Sequence, residues 1–478
     1  MLIALIDDGI DLRRCPDICL KDDLIVEPDG ILRPRSEADL IRTSHGTTCA
    51  QIIHKYAPDA EFCSLAIFLQ PKLRTSPAQL LAALEWCLEK GIPLIHMSAG
   101  TTQLCDQEMI RKVVAKLIQQ GQTIVAARSN DAGRYTVPAC CAGVLGAAAD
   151  PALVGGQVYV RDAVPDDVQI FASSRHDLSA YPRGKVETAV SNSYAAPTVT
   201  AKVHALLSSG WKPVPELYCA LAGEPVSIAR MRPDFLSLAL VFAPNSRLAT
   251  PELLEFHMLA EFSSEQEFLA AAERETRAVA VLLPPLPSSE QFWSELFRCS
   301  KGRSGIVCAC EASESLRKGA PCLFWDEGER KFLMSTQMEE SPMDPEVSVI
   351  KVEPHGETSL LLLCGLRDRL TREGYGCIAV TDHPMAYLYG LEYLPWGCSP
   401  ELLVSHLCQT HQPDVVLSSC SCATPELPCE LQIKFGLVDG VSVSEDVIRL
   451  PENLSGSDVE AVFQFLVDKP EDTKPAAN

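Results

Sequence analysis

The chain has 478 residues, enough for about three domains of ordinary length, and carries 63 acidic against 41 basic residues for a net charge of −22. That excess argues against a nucleic-acid binder, which needs a basic footprint to neutralise phosphates, and against electrostatic attachment to anionic membrane. A hydrophobic content of 47 % excludes general disorder, and no apolar run approaches the roughly 20 residues that span a bilayer, LSLALVF from Leu236 being far too short.

In chain order, the first predicted element is a buried strand, MLIALI, ending in Asp7-Asp8, with no basic-then-apolar leader ahead of it. Apolar runs at 92–97, 123–127 and 143–148 read as further buried strands, and 78–90 and 108–119 carry apolar residues at helical spacing. This alternation predicts an α/β fold over residues 1–210, a parallel sheet flanked by helices. Residues 211–235 hold prolines and no clear period, and read as a linker packed on the first domain. Strand–helix alternation resumes with a small α/β domain over 236–340, broken by PPLP at 284–287, followed by a second α/β domain over 341–469 and a polar, disordered tail over 470–478. Twenty cysteines without a secretory leader read as the mostly free, buried thiols of a reduced, cytoplasmic protein.

Four segments of the first 210 residues carry chemistry. In ALIDDGID (4–11), Asp7 ends a buried strand; in SHGTTCA (44–50), His45 opens a helix whose apolar face is Cys49, Ile52, Ile53 and Tyr56. In IVAARSNDAG (124–133), Asn130 follows a buried strand; in SNSYAAPTV (191–199), Ser193 opens a helix whose inner face is Ala196, Val199, Val203 and Leu206. A serine hydroxyl becomes a nucleophile when an imidazole takes its proton, and a buried carboxylate fixes the tautomer of that imidazole. Unpaired N–H groups at a helix start stabilise negative charge, and an amide side chain in the position of Asn130 donates to an oxyanion, a contact whose loss costs about 10²–10³ in turnover. Taken singly, Asp7-Asp8-Gly9 is an ordinary strand-end turn, His45 a helix-start histidine and Ser193 an N-cap; it is their joint occurrence in this order that points to catalysis. His54, His96, His176 and His204 have no such context and read as surface or satisfied core. Cys49, one helical turn after His45, lies close enough to feel the imidazole, although core filling explains it equally.

These motifs, in the order Asp, His, Asn, Ser, resemble the subtilisin-like serine peptidases over roughly the first 210 residues. The resemblance implies a triad of Asp7, His45 and Ser193 and an oxyanion donor at Asn130. IHMSAG (95–100) is similar to the family strand along which substrate lies, so that Ser98, Ala99 and Gly100 would form an edge pairing with an extended peptide; FASSR (171–175) is similar to another family segment. The chain departs from the family at Ser191-Asn192, where Gly-Thr is usual, and at Ser129, where a glycine usually precedes the oxyanion Asn. The short stretch from Ser174 to Ser193 implies that calcium-holding loops of many relatives are absent, and a first catalytic strand beginning at residue 2 leaves no room for the family's propeptide. No metal or cofactor is implied.

In the C-terminal half, VSVIKVEPHGETSLLLL (347–363) resembles a P-loop, with Lys351 and Gly356 in the two glycine positions, Glu357 in the lysine position and Thr358 as the hydroxyl; DVVLSS (414–419) resembles a later strand of such folds. Glu357 places negative charge where phosphates need a cation, so the expectation is a degenerate P-loop-like domain that does not bind nucleotide. Cys308-x-Cys310, Cys420-x-Cys422 and Cys429 lack the spacing of a tetrahedral zinc site and read as structural thiols. The expected activity is that of an intracellular serine endopeptidase acting on a specific peptide or precursor, with a weaker resemblance to bacterial peptidases that remove leaders from ribosomal peptides. The alternative is a catalytically silent scaffold of the same fold.

Overall fold

The structure, a computed structural model, describes residues 1–468 apart from 37–38, 40–44, 69–74, 132, 142, 162–167, 212–213, 223–237, 243–256, 276–279, 284–288, 301–305, 310–312, 320–322, 337, 339–346, 396, 422–428, 439 and 445. The chain divides into two compact units. The first contains a nine-stranded and a five-stranded sheet, the second a seven-stranded sheet. The expected α/β class is what the chain adopts.

The nine-stranded sheet comprises β1 (Leu2–Asp7), β2 (Cys19–Val26), β3 (Leu32–Pro34), β4 (Glu61–Ala66), β5 (Leu94–Met97), β6 (Thr123–Ala127), β7 (Val144–Ala149), β8 (Val158–Val160) and β9 (Ile170–Ala172), in the order β3-β2-β4-β1-β5-β6-β7-β9-β8. All pairings are parallel except β2–β3 and β8–β9. The unbroken apolar runs become its centre because a parallel sheet is covered on both faces. On one face, Leu80, Ala83, Leu84 and Cys87 of α2 (Pro77–Lys90; α1 is His45–Tyr56) and Ile110, Val113, Val114 and Leu117 of α3 (Leu104–Gln119) build the core. α1 packs against α4 (Asn192–Ser208), which also contacts β5, β6, β7 and β9. Ser76 and Gln79 form a capping box at the start of α2, and Gly91 ends it at φ 63°. β2 escapes the apolar-run signal because its CLKDDLIV sequence keeps Asp22 and Asp23 near the sheet margin, where charges tolerate partial exposure.

β1 has β4 on one side and β5 on the other, so successive crossovers leave it in opposite directions. Open parallel sheets form their ligand crevices outside the carboxyl ends of strands at such a switch point, and Asp7 is the last residue of β1. Within the stretch read as a linker, residues 214–222 form α5 (Val214–Ala222), and the Tyr218 hydroxyl donates to the Val144 carbonyl at 3.4 Å. Most of the remaining linker lies outside the described residues, as do the PPLP break and the tail.

The five-stranded sheet is wholly parallel, in the order β11-β10-β12-β13-β14, from β10 (Leu238–Phe242), β11 (His257–Phe262), β12 (Ala280–Leu283), β13 (Ile306–Ala309) and β14 (Leu323–Asp326). Its core is aromatic: Phe242 packs on Phe268 of α6 (Glu265–Arg274) and on Phe292 of α7 (Glu290–Ser300), with α8 (Glu314–Gly319) following; α9 (Glu327–Ser335) belongs to the second unit. The seven-stranded sheet has the order β17-β16-β18-β15-β19-β21-β20, from β15 (Ser348–Val352), β16 (Cys377–Thr381), β17 (Glu392–Tyr393), β18 (Val415–Ser419), β19 (Leu431–Gly436), β20 (Ser442–Ser444) and β21 (Val447–Pro451). Only β20 runs antiparallel. Its helices are α10 (Gly356–Arg372), α11 (Pro400–His411) and α12 (Gly456–Asp468). No helix among the described residues is long and apolar enough to cross a membrane.

Candidate active site

The apolar run of β1 carries Asp7 into full burial, and such a carboxylate must be compensated. His45 supplies the partner: its Nδ1 lies 2.9 Å from both Asp7 oxygens, and the Asp8 N–H donates to Asp7 Oδ1 at 2.8 Å. A carboxylate oxygen accepts, so Nδ1 holds a proton, and in a neutral ring Nε2 is the nitrogen left to accept one. Asp8 fixes the backbone beneath that ring. Its carboxylate accepts the N–H groups of His45 at 3.2 Å and Gly46 at 2.7 Å, capping the start of α1. Two glycines allow this approach. A Cβ on Gly46 would stand 2.8 Å from the Gly9 carbonyl, and Gly9 itself turns at φ +100° above the Arg35 guanidinium. Arg35 is almost wholly buried, pairs with Asp23 at 3.0 Å and donates to the Ile10 carbonyl, bracing the loop after β1.

Ser193 is the second residue of α4 and only 9 % exposed. Cys49 Sγ lies 3.6 Å from the Ser193 carbonyl oxygen and 3.9 Å from His45 Nδ1, so the Ser193 main chain and the His45 ring flank one sulfur. The Tyr194 ring stacks on His45 with centroids 5.4 Å apart and planes at 26°. Lys185 sits over the Tyr194 ring and donates to its hydroxyl at 3.1 Å. Asp7 and His45 are therefore directly bonded and Ser193 stands beside them, but among the described residues no hydrogen bond joins the Ser193 hydroxyl to the imidazole. In unliganded sites such bonds commonly tighten only when substrate binds.

Asn130 reaches the same helix start. Its Oδ1 accepts the Asn192 N–H at 3.0 Å and the Ser191 hydroxyl at 3.3 Å. A backbone N–H can only donate, so the atom facing it is the oxygen, and the amide nitrogen of Asn130 points elsewhere with its two donors. Ser191 caps α4, accepting the Ser193 N–H at a long 3.3 Å. Asn192 crosses between two strand ends, accepting the Ala149 N–H at 2.8 Å and donating to the Ser129 carbonyl at 2.6 Å.

The segment Ser98–Gly100 follows β5. The Ser98 hydroxyl turns inward to the Ser193 carbonyl at 3.1 Å and lies 3.2 Å from His96 Nε2; His96 Nδ1 is 2.8 Å from the Thr200 hydroxyl. Ala99 is buried and Gly100 exposed, and beyond them Thr101 pairs with Val137. His96 is thus a satisfied core histidine that also supports the site. His176 does so too, with Nε2 3.1 Å from the Tyr194 carbonyl and Nδ1 3.0 Å from the Tyr56 hydroxyl.

Burial disfavours a charged His45, whereas Cys49, once ionised, and then the Asp7 carboxylate favour it, and the pKa of His45 moves upward. Burial raises the pKa of the Cys49 thiol. A neutral thiol at pH 7 contributes no charge, which leaves Asp7 as the group holding His45 up. Burial lowers the pKa of His96 to about 4, so it stays neutral. Asp7, His45 and Cys49 place their ligand atoms within 4.8 Å of one another, the one such cluster among the described residues; the hydrogen bonds above account for each group without an ion. Sixteen cysteines are described and all are free. The two Cys-x-Cys pairs fall partly outside the described residues, through Cys310 and Cys422.

Sequence reasoning did not reach Asp8, Tyr194, Lys185 or the cross-strand role of Asn192. For Asp8 there was a signal: an Asp-Asp pair before a glycine can serve a ring and a helix end at once. For Tyr194 and Asn192 the partners are distant in sequence, and nothing local announces them.

No family model matches the chain, and neither does any curated protein. Among solved structures it is similar to the prenylagaramide maturation protease PagA, with 20 % identity over 45 % of this chain and 79 % of that one and a TM-score of 0.32. It is similar to a cold adapted subtilisin-like serine proteinase (15 % identity, 46 % and 81 % covered, TM-score 0.34). A third is the nisin leader peptidase NisP from Lactococcus lactis (16 % identity, 44 % and 79 % covered, TM-score 0.34).

Proposed function

We propose that the chain is a subtilisin-like serine endopeptidase in which Ser193 attacks, His45 moves the proton and Asp7 orients His45. The observation that carries this reading is the two-oxygen contact of buried Asp7 with His45 Nδ1, beside a serine in the first turn of a helix. His45 Nε2 takes the Ser193 proton as Oγ bonds to the scissile carbonyl carbon, and the carbonyl π electrons move onto oxygen. Asn130 Nδ2 and the Ser193 N–H, released from Ser191, receive that oxyanion. Its collapse expels the amine, which takes the proton from His45. Water then repeats the sequence on the acyl-enzyme, with His45 as base, and frees Ser193.

The substrate in this proposal is a peptide or protein, presented along Ser98–Gly100. No nucleic acid or anionic membrane takes part, in keeping with the net charge of −22, and no role is assigned to a nucleotide or metal. Free thiols support a reduced, cytoplasmic setting. We assign the peptidase to residues 1–210 and recognition of one precursor, with leader removal as the finer reading, to the α/β region over 236–469. A precursor peptide carrying a photoreactive group would crosslink within 236–469; adducts confined to 1–210 would remove that assignment.

Labelling with a biotinylated fluorophosphonate tests the activity. One label per chain, lost in Ser193→Ala, is the expected result, and absence of labelling in the unmodified protein overturns it. A silent scaffold of the same fold is the second reading, favoured by two observations: the Ser193 N–H is spent on Ser191, and among the described residues no hydrogen bond joins the Ser193 hydroxyl to His45.

A further inference from the structure

We propose that Asn192, the residue before the nucleophile, is a positioning residue that sets the distance between the two oxyanion donors; this rests on the peptidase reading above. Asn192 is the first residue of α4, where a side chain ordinarily projects into solvent. Here it is half-buried, with its backbone N–H and both polar atoms of its side chain engaged. Its backbone N–H holds Asn130 Oδ1 at 3.0 Å, its Oδ1 holds the Ala149 N–H at 2.8 Å and its Nδ2 holds the Ser129 carbonyl at 2.6 Å. Ala149 closes β7, and Ser129 precedes Asn130 in the loop after β6. One residue thus ties the peptide that carries the Ser193 N–H to both neighbouring strand ends, and to the side chain that supplies the other donor.

The geometry has a direct consequence. The contact from the Asn192 N–H decides which end of the Asn130 amide faces the helix, and so presents Nδ2 to the reacting carbonyl. The two side-chain contacts decide how far the loop after β6 stands from the start of α4. Oxyanion donors act only when they lie about 2.7–3.1 Å from the developing charge, and a displacement of about 1 Å costs on the order of 10² in rate. A shorter side chain cannot make both contacts. Threonine, which the resembled family usually carries at this place, offers one hydroxyl and so cannot span the gap between Ala149 and Ser129.

The test uses the full chain, a fluorophosphonate probe and a chromogenic peptide anilide, with Asn192→Ala and Asn192→Thr compared to the unmodified protein. In both variants the labelling rate constant and kcat are expected to fall about tenfold to hundredfold. The labelling endpoint stays at one per chain, and KM for the anilide is unchanged. Inhibition by a peptide aldehyde, whose adduct carries an oxyanion, weakens by the same factor. A merely structural role would instead lower the endpoint and leave the rate of the surviving fraction unaltered, which overturns the proposal. So does a rate equal to the unmodified protein in either variant. Asn192→Thr keeps a polar group at the helix start and decides the matter should Asn192→Ala fail to fold. If the unmodified protein does not label at all, the peptidase reading fails and this inference falls with it; normal labelling that is insensitive to Asn192 removes this inference alone.

Discussion

Two mostly parallel sheets of this molecule end a central strand at the start of a helix, and they use that arrangement in opposite ways. After β1, the polar groups converge: Asp7 on His45, Asp8 on the first N–H groups of α1. After β15, they close on themselves. The His355 N–H donates to the Ser359 hydroxyl, which donates to the Gly356 carbonyl, and the His355 ring stacks on Phe435 at 5.1 Å. The Thr358 hydroxyl reaches only the Glu452 carbonyl, at 3.5 Å, and the first turn of α10 carries Glu357. The same architecture therefore offers an imidazole with an open nitrogen in one place and a self-satisfied loop with the wrong charge for phosphate in the other. Function follows the convergence of groups and not the fold that holds them.

The largest expected effects break the first region alone. Ser193→Ala should lower kcat by about 10⁶, and Asp7→Asn by about 10⁴, because the amide leaves His45 in the wrong tautomer. Glu357→Ala should leave kcat for the same chromogenic peptide unchanged. Steady-state kinetics on the three variants checks this, and equal losses in both regions would mean that the comparison has no catalytic content. Asn130→Ala comes next, with an expected loss of about 10²–10³ in kcat and little change in KM. A rise in KM at constant kcat would show that Asn130 holds substrate and not the oxyanion.

A third effect is on stability and separates the regions by pH. Buried His96 has its pKa lowered to about 4 from an ordinary value of 6.5. The unfolded chain binds the proton first, so as pH falls from about 6.5 toward 4 the folded state loses stability, and the loss levels off below 4. At 1.36 kcal/mol per pKa unit, this amounts to about 3 kcal/mol. The difference in unfolding free energy between the unmodified protein and His96→Asn should slope across that window. Urea unfolding at a series of pH values measures it, and a difference independent of pH would show that His96 is charged or solvated in the folded protein.

The sequence carried the centre of the first sheet far better than its margins, for a physical reason. Buried parallel strands are apolar runs, so β1, β5, β6 and β7 are legible residue by residue, and Asp7, His45, Asn130 and Ser193 each sit at an element boundary that the pattern marks. Strands at a sheet margin are mixed in polarity, which hid β2, β3, β8 and β9. The contacts that assemble the site cross large sequence separations: Asn192 to Ser129, Tyr194 to His45, Ser98 to Ser193. Local patterning holds no trace of them.

The smallest expected effect is a null one. Calorimetry of the full chain with ATP and magnesium should give no binding heat, because the start of α10 faces a triphosphate with the carboxylate of Glu357 where a cation is needed. Charge alone is not the whole deficit. Lys351 stands inside β15, paired to Ser418 of β18 and Gln432 of β19, at the place where a phosphate cradle begins with glycine. Glu357→Lys, which corrects only the sign, should therefore stay silent as well. Binding that appears in Glu357→Lys would reduce the difference between the two regions to one side chain; its absence locates the difference in the backbone, where a strand occupies residues that a phosphate loop would leave unpaired.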